Sequence, residues 1–391
     1  MISVEAAKAI IKDCTIKAPI VKISLVEALG LTLGEPVYAA IDIPAFTQSS
    51  MDGYALKFSD LRELELAGEM QAGATAIQKM EPYQATRIFT GAPLPEGADT
   101  VIMQEKVKRE GGQLLLLDDQ LRMGTNVRPI GAEAKKGELA MDAGTYLSPA
   151  AIGFLAGIGL TEVPVYQPLQ VTIILTGNEL QDPGKPLAFG QVYEANSVML
   201  KAALQQAQVK QVKVLKAVDK LDELISVLQT SLLISDMVLL TGGVSVGDYD
   251  FVVAATAACG ITQQFHKIRQ KPGKPLFFGT KGRQLVFGLP GNPSSVLTCF
   301  YEYVLPALAA TGQQLQEVKQ ITATLTNNYK KTMGLTHFIK ASYQNGQVTP
   351  LPAQESFRLH SFAQANAFIV LKEEQTEVVA GEIVDVHLLP L

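Results

Sequence analysis

The chain has 391 residues, 47% hydrophobic and 18% charged, with a formal net charge of −5 at pH 7. That length exceeds what one core usually serves and implies about two to four domains, and the acidic balance argues against a general binder of nucleic acid or of anionic membrane surfaces. Cys14, Cys259 and Cys299 are widely spaced and form no CxxC, so neither a disulfide framework nor a zinc knuckle is implied and a reducing, cytoplasmic setting fits best.

The N-terminus places Val4, Ala7, Ile10, Ile11 and Cys14 at helical spacing, with Glu5, Lys8 and Lys12 on another face. This is an amphipathic helix rather than a signal peptide. Ala45 to about Gly137 is rich in Gly, Pro and short alternating runs, such as Gln113 to Leu117 after the turn Glu110-Gly111-Gly112. It reads as a small β domain. The segments before Pro44 and from Lys136 to Tyr166 are alike in being helix plus strand, so the β domain is expected as an insertion. Ala150 to Leu160, the most apolar stretch, is too short to span a bilayer and predicts a short buried helix opened by Ser148-Pro149.

From Leu169 to Gly312 strand and helix alternate, the pattern of a parallel sheet covered by helices. Strands are predicted at Leu169–Leu175, Val209–Val218, Met237–Leu240, Gln263–Ile268 and Gln284–Phe287. Helices are predicted at Glu194–Gln206, Lys220–Thr230, Phe251–Cys259 and Ser294–Ala309. From Gln320 onward the chain returns to strands, with Asn345-Gly346 as a hairpin signal between Phe338–Tyr343 and Gln347–Pro350.

The chemistry concentrates where strands end. Thr241 to Asp250, TGGVSVGDYD, leaves a buried strand through a glycine turn and enters a helix, a place where backbone N–H groups approach phosphate. Asp248 and Asp250 on that turn suit a cation such as Mg2+ shared with a phosphate ligand, or else cap a tight turn. His266 to Arg283 carries Lys267, Arg269, Lys271, Lys274, Lys281 and Arg283 with no acidic residue, a local positive field for an anion or a solvated basic loop. Gly288 to Ser295, GLPGNPSS, offers free N–H groups to an oxyanion or is only a helix entry. Glu179, Asp219 and Asp250 all follow predicted parallel strands and can converge on one crevice, although each alone suits a helix N-cap. Gly243-Val244-Ser245-Val246-Gly247 matches the GxSxG elbow of serine hydrolases, but His266, His337, His360 and His387 offer it poor triad partners and lack zinc-ligand spacing.

Seven runs in order, IPAFTQSSMDGYALK (Ile43–Lys57), IFTGAPLPEGADTVIMQE (Ile88–Glu105), LTGNEL (Leu175–Leu180), GQVYEANS (Gly190–Ser197), TGGVSVGDYD, KPGKP (Lys271–Pro275) and GLPGNPSS, resemble the molybdopterin molybdenumtransferase family, bacterial relatives of the gephyrin E domain. The resemblance implies an α/β plus β multidomain fold. An elongated N-terminal domain (1–44 and 138–168) would carry an inserted β domain (45–137), followed by a three-layer α/β molybdopterin-binding domain (169–312) and a C-terminal β-barrel-like domain (313–391).

The implied activity is Mg2+-dependent insertion of molybdate into adenylylated molybdopterin with release of AMP; a non-catalytic molybdopterin-binding scaffold of the same fold is the alternative. Glu179, Asp219 and Asp250 would hold Mg2+, and Lys267 and Lys271 would bind the oxyanion with help from Pro290, Gly291, Asn292 and Pro293. Gly242, Gly243 and Ser245 would approach the pterin phosphate. Asp52 and Thr90 would reach the site from the second subunit of a homodimer, and Glu133 stands where the family commonly has a functional Asp. Asn178 likewise stands where Asp is usual. Implied partners are a molybdopterin adenylyltransferase and receiving molybdoenzymes or their chaperones, with no nucleic acid and no membrane.

Overall fold

A computed structural model describes residues 1–59, 61–242, 251–313 and 317–390. They fall into two compact units: Met1–Val21, Gly30–Gly34 and Pro164–Leu391 form one, and Lys22–Leu29 and Glu35–Val163 form the other.

In the first unit the apolar run ahead of Gly177 forms the strand Gln170–Thr176, buried at every position after the first. It lies between Gln211–Ala217 and Met237–Thr241, and the sheet continues through Gln284–Leu289, Phe277–Lys281 and Thr262–His266. The first four strands are mutually parallel, and Phe277–Lys281 runs against both of its neighbours. Alternate side chains enter opposite cores because successive Cβ atoms point to opposite faces. Ile173, Leu239 and Phe287 pack with Leu200, Val296 and the N-terminal helix residues Val4, Ala7 and Ile11. Ile174, Val238 and Val286 pack with Leu224, Leu228, Val252 and Ala255. The result is a three-layer α/β arrangement.

Two departures from the sequence reading have identifiable causes. The strand Phe277–Lys281 is absent from that reading, because its apolar core Phe277-Phe278 is embedded in the basic run, yet both rings are fully buried. The single helix expected over Ser294–Ala309 is interrupted: Pro293–Cys299 leads into a π-helical segment, Phe300–Val304, before Leu305–Ala310. Pro306 has no N–H for the carbonyl of Glu302 and its ring crowds that carbonyl, so the wider turn relieves the conflict.

Downstream, Lys319–Leu325, Thr336–Gln344, Gln347–Pro350, Ala367–Leu371 and Ile383–Leu388 close into a five-stranded barrel, the ring being completed by pairing of Thr336–Gln344 with Ala367–Leu371. Asn345 and Gly346, at φ 50° and 80°, make the expected two-residue hairpin turn.

The second unit is built on a six-stranded sheet in the order Thr100–Met103, Gly53–Leu56, Gln84–Ile88, Glu63–Met70, Gln113–Leu116, Val107–Glu110. Gly53–Leu56 is buried throughout, with Tyr54 and Leu56 in one cluster and Ala55 in another. The apolar helix Pro149–Gly157 is capped by the Ser148 hydroxyl as expected, but it buries only Ala151 and Leu155 rather than its whole surface.

Within the first unit, Glu302 is 1% exposed, and its carboxylate takes Lys8 Nζ at 2.5 Å and His387 Nδ1 at 2.8 Å. Burial pushes its carboxyl up, but Lys8 and His387 more than reverse this and hold it below the ordinary carboxylate range. A group depressed on folding contributes stability above its unfolded pKa of about 4.3 and loses it as pH falls through the folded value. We therefore expect Glu302→Ala to cost about 3–5 kcal/mol at neutral pH. Urea unfolding at several pH values should show that difference shrinking below about pH 4; a difference constant with pH would refute the ionic account.

Candidate functional site

The sheet register decides what can meet. Thr176 stands opposite Ala217, Leu175 opposite Thr241, and Thr241 opposite Leu289, so these parallel strands end level with one another. Thr262–His266 ends at the same edge, where Phe277 begins, since Phe277 pairs with both Gly288 and His266. Segments far apart in sequence therefore leave the sheet side by side: Gly177–Glu179, Val218-Asp219, Gly242, Pro290–Pro293, Lys267 and the turn Lys271–Pro275. The strand order changes direction between Gln170–Thr176 and Met237–Thr241, the position where open α/β sheets hold ligands. Gly242 makes that junction possible. It has φ 85°, and a Cβ there would lie 2.1 Å from the Thr176 carbonyl oxygen.

A cleft of about 900 Å³ opens at this edge, lined by Glu179, Gly242, Lys271 and Pro290–Pro293, together with Tyr193, Glu194, Asn196 and Lys274. Glu179 belongs to the central parallel strand, whereas the lysines come from the turn entering the antiparallel strand. Acidic and basic groups thus reach the cleft from well-separated positions in the strand order. Gly177 takes φ 142°, which favours glycine, and a Cβ there would lie 2.8 Å from the Glu179 carboxylate oxygens, so that side chain would have to shift. Asn196, the first residue of its helix, donates through Nδ2 to Thr241 Oγ1 at 2.8 Å and to the Gly291 carbonyl at 2.9 Å. Its Oδ1 and the Thr176 Oγ1 are buried with no hydrogen-bond partner among the described residues.

Gln270 sets the lysine turn. Its fully buried amide Nε2 donates to the carbonyls of Pro272 and Gly273 at 3.0 and 3.2 Å, and its Oε1 accepts from the Tyr303 hydroxyl. Gly273, at φ 91°, is packed so closely that a Cβ would lie 2.6 Å from Cys299 Sγ. Gln270 and Lys271 also pair in parallel with Thr336 and His337 of the barrel. Burial, with help from Lys331 and Lys271, pushes the His337 imidazole down to about 4. A barrel loop secures the opposite turn, where Asn292 Nδ2 donates to Ser356 Oγ at 2.9 Å and the Ser294 N–H to the Ser356 carbonyl at 3.2 Å.

Two predicted residues reach the same edge without lining the cleft. Asp219 donates its N–H to Asn178 Oδ1 at 3.3 Å, so Asn178 supports the loop that carries it. Lys267 is held at φ 71°, its N–H bound to the Leu276 carbonyl and its own carbonyl receiving the Ile2 N–H. Gly243, Ser245, Asp248 and Asp250, with the GxSxG segment, lie outside the described residues. Among the described residues no group of three or more His, Cys, Asp or Glu side chains is placed to hold a metal ion. Tyr193 and Asn196 lie inside the run GQVYEANS, which did not single out either, and Gln270 lies just outside the run KPGKP.

The remaining predicted residues belong to the second unit. Asp52 Oδ1 accepts from the Thr90 N–H at 2.8 Å and the Thr90 hydroxyl at 2.7 Å, which joins two motifs 38 residues apart. Arg87 braces this corner by donating to the Gly53 carbonyl at 2.9 Å and to Gln104 Oε1 at 2.6 Å, with its guanidinium over the Tyr54 and Phe89 rings. Glu133 is exposed on a loop anchored by its own N–H to the Ile43 carbonyl, beside Gly131 at φ 70°.

Comparison with known proteins covers nearly the whole chain. Residues 2–159 match the model of the MoeA N-terminal region (domains I and II), 172–310 that of a probable molybdopterin binding domain, and 322–389 that of the MoeA C-terminal region (domain IV). The molybdopterin molybdenumtransferase of Haemophilus influenzae is 36% identical over 381 residues, 94% of each chain. That of Bacillus subtilis is 32% identical, over 94% of this chain and 89% of its own. A crystal structure of the molybdopterin biosynthesis MoeA protein from Pyrococcus horikoshii superposes with a TM-score of 0.78 at 29% identity, covering 99% of this chain and 100% of that one.

The Asp52 carboxyl is held below its ordinary range first by the Thr90 N–H, then by the Thr90 hydroxyl, with Arg87 adding to both. Thr90→Val removes one donor and keeps the shape, so Asp52 should titrate at higher pH than in the wild type. A pH titration of its carboxyl carbon by NMR reads this directly, and an unmoved curve would mean that the hydroxyl bond contributes nothing.

Proposed function

The chain belongs to the family of molybdopterin molybdenumtransferases, transferases of molybdenum cofactor biosynthesis, and on that premise we propose that it inserts molybdate into the dithiolene of adenylylated molybdopterin, cleaving the pyrophosphate bond and releasing AMP. The observation that carries this reading is the single cleft in which Glu179 and the lysines at 271 and 274 face one space at the carboxyl edge of the sheet. A nucleotide-bearing pterin and a tetrahedral oxyanion need both kinds of group.

In this reading Lys271, assisted by Lys267, binds molybdate through charge-assisted contacts. The N–H groups of Gly291 and Asn292 add donors, the position of the turn being fixed by the bond from Asn292 to Ser356. Gly242 lets the backbone, with Gly243 and Ser245 beyond it, approach the phosphate. Glu179 and Asp219 are hard oxygen donors after neighbouring strands and suit Mg2+, with Asp250 as the third carboxylate. Bound there, the ion would neutralise charge on the pyrophosphate. The two dithiolene thiols bond to molybdenum as their protons leave with one molybdate oxygen as water, and another water adds across the phosphoanhydride, leaving AMP and the pterin phosphate.

Asp52, Thr90 and Glu133 enter the proposal through a homodimer, each subunit's second unit completing the cleft of the other. Supply of the substrate by a molybdopterin adenylyltransferase, delivery to molybdoenzymes or their chaperones, and a cytoplasmic location follow from the same reading. No described helix is long and apolar enough to cross a membrane.

The test is AMP release from adenylylated molybdopterin with molybdate and Mg2+, which should stop when the metal is chelated. Lys271→Ala should weaken the dependence on molybdate roughly ten- to hundredfold and leave pterin affinity nearly unchanged; equal loss of both would remove Lys271 from the oxyanion role. Asp52→Asn and Asp250→Asn chains, each inactive alone, should recover part of the activity when mixed, because one composite site of the heterodimer is intact. No recovery despite subunit exchange would exclude a site completed in trans.

A further inference from the structure

Tyr193 is the one aromatic side chain among the described residues that line the cleft. It sits on a two-residue strand, Val192–Tyr193, parallel to Leu180–Gln181, so its backbone runs beside the segment that carries Glu179. The Val192 N–H binds the Glu179 carbonyl and the Glu194 N–H binds the Gln181 carbonyl, each at 2.9 Å. Directly after it, the buried Glu194 carboxylate accepts the Ser197 N–H at 2.7 Å and its hydroxyl at 2.6 Å, fixing the start of the next helix. The main chain around Tyr193 is therefore held on both sides while the side chain stays open, Tyr193 being 49% exposed. Val192, next to it on the same strand, is also exposed and lines the cleft.

An amphipathic ring on a fixed backbone loses little conformational freedom on binding and offers a large flat surface. We propose that Tyr193 is the ring platform of the cleft, its face taking a flat nitrogen heterocycle of the substrate while the phosphates extend towards Gly242. This rests on adenylylated molybdopterin as substrate, which carries such a ring at each end, a pterin and an adenine. Stacking on an aromatic face tolerates either, and the probes below decide which one it takes.

The chain has no tryptophan, so Tyr193→Trp places a single indole at the rim. The homodimer or monomer as purified is titrated with AMP, with 6-hydroxymethylpterin, and with ribose 5-phosphate as a ringless control. Quenching by one or both ringed probes and none by ribose 5-phosphate is expected. By calorimetry, Tyr193→Phe should keep the affinity for the ringed probe and Tyr193→Ala should lose roughly ten- to hundredfold. In turnover, Tyr193→Ala should raise KM for the pterin substrate by a similar factor, with kcat and the molybdate dependence unchanged; the exposed position makes an unaltered melting temperature the folding control. Quenching by neither ringed probe, or wild-type affinity in Tyr193→Ala, would overturn the assignment even if the wild type releases AMP. Absence of turnover in the wild type would instead count against the proposed reaction, and the probe titrations would still decide the role of Tyr193.

Discussion

Everything at the site depends on the close approach of Gly242 to the Thr176 carbonyl. A Cβ at this point would press to 2.1 Å, so only glycine allows the neighbouring strands to leave the sheet together. With that approach made, the parallel register carries the ends of Gln211–Ala217 and Gln284–Leu289 to the same level. The register is itself defended by burial. The two faces of the sheet meet different partners, Phe278 and Phe287 on one side and Phe277 and Val286 on the other, so a one-residue slip would exchange them and ruin both layers.

The electrostatic character of the cleft comes from how its basic turn is held. Gln270 fixes the turn through neutral hydrogen bonds, and the Cys299 thiol beside it is driven far from ionisation by burial. No ion pair among the described residues engages Lys271 or Lys274. Glu302, an anion of the core behind, is already committed to Lys8 and His387. A chain of net negative charge can in this way present uncompensated lysines at one place. The carboxylates at Glu179 and Asp219 lie several strands away in sheet order, which preserves the separation of sign.

What the sequence made legible were features with local causes. Apolar runs ending in glycine marked the parallel strands and their carboxyl ends, Asn345-Gly346 marked a hairpin, and Ser148-Pro149 marked a helix start, each within a residue or two. The features that escaped depend on tertiary partners or on one residue acting inside an otherwise regular pattern. Phe277–Lys281 is a strand because a hairpin partner and two cores receive its rings, which the surrounding lysines conceal. The π segment arises from Pro306 acting on a carbonyl four residues earlier, inside a pattern that otherwise reads as helix. Gln270 and Asn196 are indistinguishable in sequence from surface amides. Their importance lies in which carbonyls they reach, and the bond between Asp52 and Thr90 spans two motifs that sequence could only place in the same list of site residues.

The pairing of Gln270–Lys271 with Thr336–His337 gives the cleft a mechanical property. Its carboxylates are carried by the α/β sheet alone, whereas its lysines hang on a ladder shared with the barrel. The gap between the two sets is therefore a gauge of how the barrel is seated on the sheet, and a ligand gripped by both acts as a cross-brace between two separately built folds.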